Sequence, residues 1–432
     1  MKIRAYKGDI SVNEARVPGG KHSFAHSIAV GALSDEVFFT NVPTIRDSMV
    51  IIELLKEIFG QVVFDQKKHT LFLSEKKMPS EIVITEKMLK QSRNIFCIMP
   101  ALLARTRKLV IKGEPKGCNI GERPTDWYYD IMKQFGADCI YNDDTIEITW
   151  QERKGTKISF EYPTMTGTVV AYACACASKG TSIIRNCSEE QSCDDEIDCI
   201  RECGIRTEGD YSKLTIINDG IKEKVNFNCR CDRVYAATLL SAAILAGRSF
   251  SVYSDDVIRI PRYIEFARNI GLTVIDEGNR ITIKNNSDLV PVDITAGSEP
   301  KYSSDWVPFA MLILSVKVKG ISVITDDVFI KRGQFINCYQ NKENFANIGI
   351  SETVINDRKA MKAVINGNGS NMIYGGSTDM CEDIRGTAGI VLSSIVSQTP
   401  VEVSGDFQLS RGYEDLIGDL ERYEFIEEVK VV

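Results

Sequence analysis

Apolar and polar positions along the 432-residue chain fall into a pattern that recurs six times. Each recurrence opens with a helix that is small and apolar on nearly every side, as in "SRNIFCIMPALLARTRKLVIKGEP" and "DRVYAATLLSAAILAGRSFSVYSDD". A helix with no polar face has to be buried. A short β-branched strand follows, then an acidic or proline-marked turn. A second helix carries apolar residues at three- and four-residue spacing, as in "YYDIMKQFGADCIYNDDTIEITW", so one face is core and the other meets solvent. It often stops at glycine, the residue favoured just past a helix end, and runs into alternating strands such as "NRITIKN". The first helices begin near Lys21, Arg93, Gly167, Arg233, Asp305 and Arg385. That period of roughly 70 residues is too long for a solenoid repeat. Six α/β units on this plan predict two domains of three units each.

Composition narrows the function class. A hydrophobic content of 44% with 26% charged residues is that of an ordinary globular protein. A net charge of −7 argues against a nucleic-acid partner or an anionic membrane surface, either of which favours a basic face. The start "MKIRAYKGDISVNEARVPGG" lacks the apolar core of a signal peptide, and no apolar run approaches the ~20 residues that span a bilayer. The expectation is a cytoplasmic protein. Thirteen cysteines then predict free thiols rather than a disulfide framework. Cys174 and Cys176, in the small-residue helix "VVAYACACASKG", read as small hydrophobes. No spacing among Cys187, Cys193, Cys199 and Cys203 forms a CxxC pair, and His22, His26 and His69 are the only histidines, so no metal site is expected.

Charge adds a second regularity. Lys21, Arg93, Arg233 and Arg385 stand at or near the start of the first helix in four units, and Asp305 takes that place in the fifth. A cation at a helix N-terminus is unfavourable by several tenths of a kcal/mol. Its repetition predicts a cleft where helix ends and cations together hold a polyanionic substrate; salt bridges to acidic turns are the alternative. In "KGCNIGERPTDWYYD", Pro124 suits the first helical position and Thr125 and Asp126 the first turn, which leaves Cys118 and Arg123 in the loop ahead. Such a place attracts anions and lowers a thiol's pKa. A reactive site and a turn with a buried thiol both fit it. The glycine-rich "NGNGSNMIYGGS" lacks the Lys-Ser/Thr ending of a phosphate loop and reads as a surface loop.

On these motifs the chain resembles the enolpyruvyl transferases over essentially its whole length. "GCNIGERPTDW" is similar to the Gly-Cys-x-Ile-Gly-x-Arg-Pro loop of the UDP-N-acetylglucosamine 1-carboxyvinyltransferase branch, which makes a peptidoglycan precursor; the shikimate branch lacks it. "VPGGKHSFAHS" looks like the N-terminal phosphoenolpyruvate lysine motif, and "EDIRGTAG" and "LSRGYEDL" look like the two late arginine motifs. The resemblance implies an inside-out α/β barrel of two three-unit domains joined by a double crossover, at residues 22–231 and at 1–21 plus 232–432. It implies transfer of the enolpyruvyl group of phosphoenolpyruvate to a hydroxyl of UDP-N-acetylglucosamine with release of phosphate. No cofactor or metal, no macromolecular partner, and a monomer or weak homo-oligomer go with it. Cys118 would give a proton to the methylene carbon, or form a thioether with it, and Asp305 would take the proton of the accepting hydroxyl. Lys21, His22, Arg123 and Arg411 would hold phosphoenolpyruvate, with Lys21 also counted as catalytic. Arg93, Arg123, Pro124, Thr125, Asp126, Trp127, Thr166, Gly167, Glu190, Asp305, Val328 and Arg385 would hold the nucleotide sugar or close over it. The "GERPTDW" loop would move on binding and shut water out. Asp305 also suits a helix N-cap for "WVPFAMLIL", and Arg411 a pair with Glu414.

The departures fall mostly on the acceptor side. His22 stands where this family has asparagine or serine, changing geometry or adding a titrating group. The family's Lys-Val-Ser-Val-Gly becomes "PTMTG", so Pro163 and Met165 replace two nucleotide contacts, while Glu190 is retained at a loop carboxylate of the family and its partner two residues on is Ser192. Three readings stay open: the peptidoglycan enzyme, a paralogue with another nucleotide or sugar-phosphate acceptor, and a non-catalytic nucleotide-sugar-binding protein.

Overall fold

The six-fold pattern of the sequence becomes six small mixed sheets. The computed structural model describes residues 1–114, 118–121, 124–285, 288–355, 357–378, 381–404 and 406–429. Contacts divide the chain into two compact units, one of Gly19–Gly117 and Arg123–Cys231, the other of Met1–Pro18, Cys118–Glu122 and Asp232–Val432. Each contains three of the repeated α/β units.

Five of the sheets are a parallel pair extended by two antiparallel strands, and the sixth, built around Lys319–Asp326, has three parallel strands before its two antiparallel ones. In the first, Glu36–Thr40 lies parallel to Lys224–Asn228 and antiparallel to Thr70–Lys76, which pairs in turn with Phe59–Asp65. The strand sets led by Glu81–Ile84 and Lys157–Ser159 repeat that order. Lys224–Asn228 is the last strand of its unit, yet it completes the first sheet. In the other unit, Glu14–Arg16 pairs with Phe250–Tyr253, and Lys2–Ala5 lies between Val401–Glu402 and Ile426–Glu428. Parallel neighbours cannot be joined by a tight turn, so distant segments supply them.

The first helix of each repeat is buried on nearly every side: Lys21–Gly31, Ile95–Ala104, Met165–Ala177, Arg233–Ala246, Val307–Val316 and Ile384–Ser393. Second helices such as Arg46–Ile58 and Pro261–Asn269 bury one face only. The fifth repeat departs from the expected plan. Its second helix is replaced by the 3₁₀ turns Arg332–Cys338 and Lys342–Phe345. A Cβ on Gly333 would come within 2.7 Å of Met361 Sδ, so a larger residue there requires that side chain to shift. Among the described residues no helix is long and apolar enough to cross a membrane.

The helical core of the first unit contains one group that does not belong in oil. Glu196, in Gln191–Glu202, is fully buried, and neither carboxyl oxygen has a hydrogen-bond partner. Burial drives its pKa well above the ordinary 4.5, and the group folds as the neutral acid. A carboxyl raised in this way favours folding below its unfolded pKa. As pH climbs toward the folded value, folding must bind a proton and that contribution is lost. Glu196→Met is therefore expected to raise the unfolding free energy at pH 8 by about 1–3 kcal/mol, and by less at pH 5, in urea denaturation. A loss of stability at pH 8 would contradict the account.

Candidate functional site

The predicted residues gather into two clusters, one on each compact unit. On the unit containing Met1–Pro18, Asp305 occupies a 3₁₀ turn, Ser304–Trp306, ahead of Val307–Val316. It does not cap that helix. Its Oδ1 lies 2.9 Å from Arg332 Nη2, and its Oδ2 accepts from Arg385 Nε at 3.1 Å. Arg332 also reaches Asp383 at 3.5 Å. Both guanidinium groups are almost wholly buried. Burial opposes the charge on Arg332, yet Asp383 and then Asp305 and Cys118 hold its pKa above the ordinary value. Burial opposes Arg385 as well, and Tyr413 and Asp305 outweigh it.

Cys118 is half-buried, with Arg411 Nη1 3.8 Å from Sγ. Arg411 is buried and donates to Gln408 Oε1 at 3.0 Å. Two ties fix the loop. Asn119 N–H donates to the Glu382 carbonyl at 3.0 Å, and Lys331 N–H donates to the Ile120 carbonyl at 3.1 Å. Glu382 and Lys331 are the chain neighbours of Asp383 and Arg332, so the ion-pair network and the thiol share one backbone frame. Asp383 does further work as N-cap of Ile384–Ser393, accepting from Gly386 N–H at 2.9 Å. Val328 follows buried Asp326, whose Oδ1 accepts from its N–H at 2.9 Å; its own side chain is exposed.

The second cluster lies on the unit containing Gly19–Gly117. Lys21 begins its helix and is buried, with Nζ 2.5 Å from Asp47 Oδ2. Beside it, His22 Nδ1 lies 3.6 Å from Glu190 Oε1. Glu190 is the N-cap residue of Gln191–Glu202 and accepts from Ser192 Oγ at 3.3 Å. Farther along the unit, Arg93 lies over the Phe96 ring at 6.0 Å, and Phe96 packs on Tyr128 at 4.9 Å. Trp127 stacks on Tyr128 at 5.5 Å and meets Tyr162 at 6.0 Å. This row joins the "RPTDW" stretch to the turn before Thr166 and Gly167, both in the first turn of Met165–Ala177.

Some expectations need correction or lie out of reach. The helix after the cysteine loop is Asp126–Gln134, with Thr125 as N-cap, so Pro124 and Thr125 stand outside it and Asp126 opens it. Trp127 Nε1 donates to the Pro124 carbonyl at 2.6 Å, closing a turn before the helix starts. Arg123 lies outside the described residues. The cations at the helix starts are in part engaged within the protein, Lys21 with Asp47, Arg233 with Glu299 and Arg385 with Asp305. Arg332, Asp383 and Asp47 escaped the sequence reading. Asp383 carried a signal, as an N-cap residue before "IRGTAG"; Arg332, in a 3₁₀ turn without periodicity, carried none. All thirteen cysteines are free thiols. Among the described residues no three His, Cys, Asp or Glu side chains are placed to hold a metal.

Chemically, the first cluster joins a thiol, buried guanidinium groups and a carboxylate, which suits proton transfer beside a bound anion. Comparisons with known proteins point the same way. The family model described as EPSP synthase (3-phosphoshikimate 1-carboxyvinyltransferase) matches residues 8–420. A UDP-N-acetylglucosamine 1-carboxyvinyltransferase of Desulfatibacillum aliphaticivorans is 27% identical over 424 residues, covering 96% of each chain. The crystal structure of the enolpyruvyl transferase NikO from Streptomyces tendae superposes with a TM-score of 0.79 at 19% identity, covering 99% of this chain and 98% of that one. EPSP synthase from Acinetobacter baumannii gives 0.71 at 17% identity, covering 100% of both. The two structural likenesses show the fold.

Removing Asp305 takes a carboxylate from two buried cations, and leaves Arg332 its 3.5 Å contact to Asp383. Asp305→Ala is expected to lower the unfolding free energy by about 3 kcal/mol, and Asp305→Asn by less, because an amide oxygen still accepts one guanidinium hydrogen bond. Urea denaturation of both variants checks this; a wild-type midpoint for Asp305→Ala would contradict it.

Proposed function

The chain belongs to the EPSP synthase family of enolpyruvyl (1-carboxyvinyl) transferases, and from that membership we propose that it transfers the enolpyruvyl group of phosphoenolpyruvate to a hydroxyl of UDP-N-acetylglucosamine in cytoplasmic peptidoglycan precursor synthesis. The observation that carries the chemistry is the half-buried Cys118 thiol beside Arg411, in the frame set by Arg332 and Asp383. The acceptor rests on full-length similarity to carboxyvinyltransferases named for that sugar and on the "RPTDW" stretch with its aromatic row.

In this reading Lys21, Arg123 and Arg411 bind the phosphate and carboxylate of phosphoenolpyruvate. Arginine offers bidentate contacts, lysine a point charge. The acceptor oxygen attacks the central carbon and its proton passes to Asp305. The Cys118 thiol protonates the methylene carbon, giving a tetrahedral adduct with a methyl group. The methyl then returns a proton to the thiolate as the carbon–oxygen bond to phosphate breaks, which restores the double bond. Asp305 accepts its proton by exchanging one of its two guanidinium bonds, since both oxygens are engaged at rest. Arg93, Trp127, Thr166, Gly167 and Val328 contact the nucleotide sugar, and Arg385 anchors the closed form.

A second acceptor, another uridine nucleotide or a sugar phosphate, is favoured by Pro163, Met165 and Ser192 at positions where the resemblance leads to other residues. A phosphate-release assay with phosphoenolpyruvate separates the readings. Release that depends on UDP-N-acetylglucosamine, and falls about 100-fold or more in Cys118→Ala, is the expected result. Release with a uridine nucleotide but not with that sugar selects the second acceptor. No release with any of these acceptors would overturn the proposal.

A further inference from the structure

Behind the Cys118 frame, and within the same compact unit, two further cysteines meet. The 3₁₀ turn Arg332–Cys338 lies against the start of Ile384–Ser393. Residues three apart eclipse one another in a 3₁₀ helix, so Arg332, Phe335 and Cys338 share one face, while Gln334 and Asn337 are exposed. Each residue of that face has its own partner. Arg332 reaches Asp383 at 3.5 Å. Phe335 packs against Gly386, where an added Cβ would lie 2.7 Å from Phe335 Cβ and 2.8 Å from Cys381 Sγ. Cys338 shares a hydrogen bond with the Cys381 thiol. Backbone pairing continues the alignment, with Tyr339 bridged to Thr378 and Gln340 N–H donating to the Ser377 carbonyl at 3.3 Å.

The two thiols are unequal. Cys338 is half-buried and within reach of a small reagent, whereas Cys381 is buried. The bond to Cys338, then burial and the Asp383 charge, push the Cys381 pKa well above its ordinary value. A reachable thiol in contact with a shielded one is the arrangement of an attacking and a resolving cysteine. A second hydrogen-bonded pair, Cys199 and Cys203, lacks the attacking member, because both thiols are fully buried in the apolar core. The first pair also stands beside the site. Glu382, next to Cys381, accepts from Asn119 N–H at 3.0 Å through its carbonyl and from Asn119 Nδ2 at 3.1 Å through its carboxylate. Asn119 directly follows Cys118. Sulfurs in hydrogen-bond contact must close to about 2.05 Å in a disulfide, so bridging them displaces the segment that holds Asn119.

We propose that Cys338 and Cys381 form a redox site, closed reversibly to a disulfide by a small-molecule disulfide such as oxidised glutathione, and that the bridge slows the Cys118 thiol. The proposal depends neither on the enolpyruvyl reading nor on the acceptor. Cys338 gives up its proton and attacks one sulfur of the reagent, whose S–S bond breaks and releases one thiolate. Cys381 then loses its proton and attacks the Cys338 sulfur, expelling the second thiolate. The two protons end on the two released thiols. The protein dithiol is oxidised and the reagent reduced, each by two electrons, and an added reducing thiol reverses both exchanges.

The full chain is equilibrated in glutathione buffers of graded redox poise, quenched by alkylation and mapped by peptide mass spectrometry. A Cys338–Cys381 disulfide is expected under oxidising poise, and it should open again in dithiothreitol. Cys381→Ser should trap a glutathione adduct on Cys338, whereas Cys338→Ser should leave Cys381 unmodified. The rate at which Cys118 takes up N-ethylmaleimide is then compared between oxidised and reduced protein. It is expected to fall about threefold or more in the oxidised wild type, the equivalent of one lost positioning hydrogen bond. Cys338→Ser treated alike should show no such fall, and that arm accounts for any glutathione attached to Cys118 itself. A bridge absent at every poise, or one that forms with Cys118 alkylation unchanged, overturns the proposal. Equal slowing in Cys338→Ser overturns it too. Should Cys381→Ser fail to fold, the wild type and Cys338→Ser decide between these outcomes.

Discussion

One carboxylate shared by two buried guanidinium groups governs the cysteine-bearing unit. Taking a guanidinium out of water costs several kcal/mol unless a carboxylate meets it with good geometry. Arg332 and Arg385 can be buried because Asp305 reaches both, with Asp383 as a further partner for Arg332. The network also fixes what is next to it in the chain. Lys331 and Glu382, neighbours of Arg332 and Asp383, hold the backbone on either side of Asn119. Cys118 is thus placed by a charge network that contains none of its own loop. A thiol proposed to react from a loop needs such a frame, since loops are where position is least constrained.

The proposal of one thiol among thirteen rests on the same physics. Cys97, Cys174, Cys176, Cys193, Cys199 and Cys229 lie in the apolar core, where burial pushes each thiol up and away from the reactive anion. Cys118 instead is half-buried beside Arg411. Core cysteines pack as small hydrophobes between helices that have no polar face to offer. Their number says little about chemistry; their surroundings say nearly all of it.

Much of this was legible in the sequence, for a definite reason. Helices such as Arg233–Ala246 are apolar all round and end at Gly247 in the left-handed conformation, and both facts are local. The strands and the six-fold repetition are local too. What escaped depends on distant partners. Nothing near Glu36–Thr40 announces that Lys224–Asn228 will lie beside it, nor does the start of the chain reveal that Lys2–Ala5 completes the last sheet. The 3₁₀ turns around Arg332 replace a helix that the repeat predicts, and so the cation at the centre of the network had no periodic signal to mark it. At the cysteine loop, motif reading marked Cys118 and Arg411 as candidates. It set the following helix two residues early, because the Trp127 bond to the Pro124 carbonyl takes up the turn that proline was expected to open.

The central claim is that phosphoenolpyruvate meets Cys118, and that the ion-pair frame rather than intrinsic thiol reactivity selects it. Peptide mass spectrometry after incubation with phosphoenolpyruvate tests this most directly, by mapping the modified residue over all thirteen cysteines. The account predicts a phosphoenolpyruvate adduct on Cys118 alone, lost when Arg411 is replaced by alanine. An adduct on another cysteine, or one on Cys118 that survives the loss of Arg411 undiminished, would contradict it.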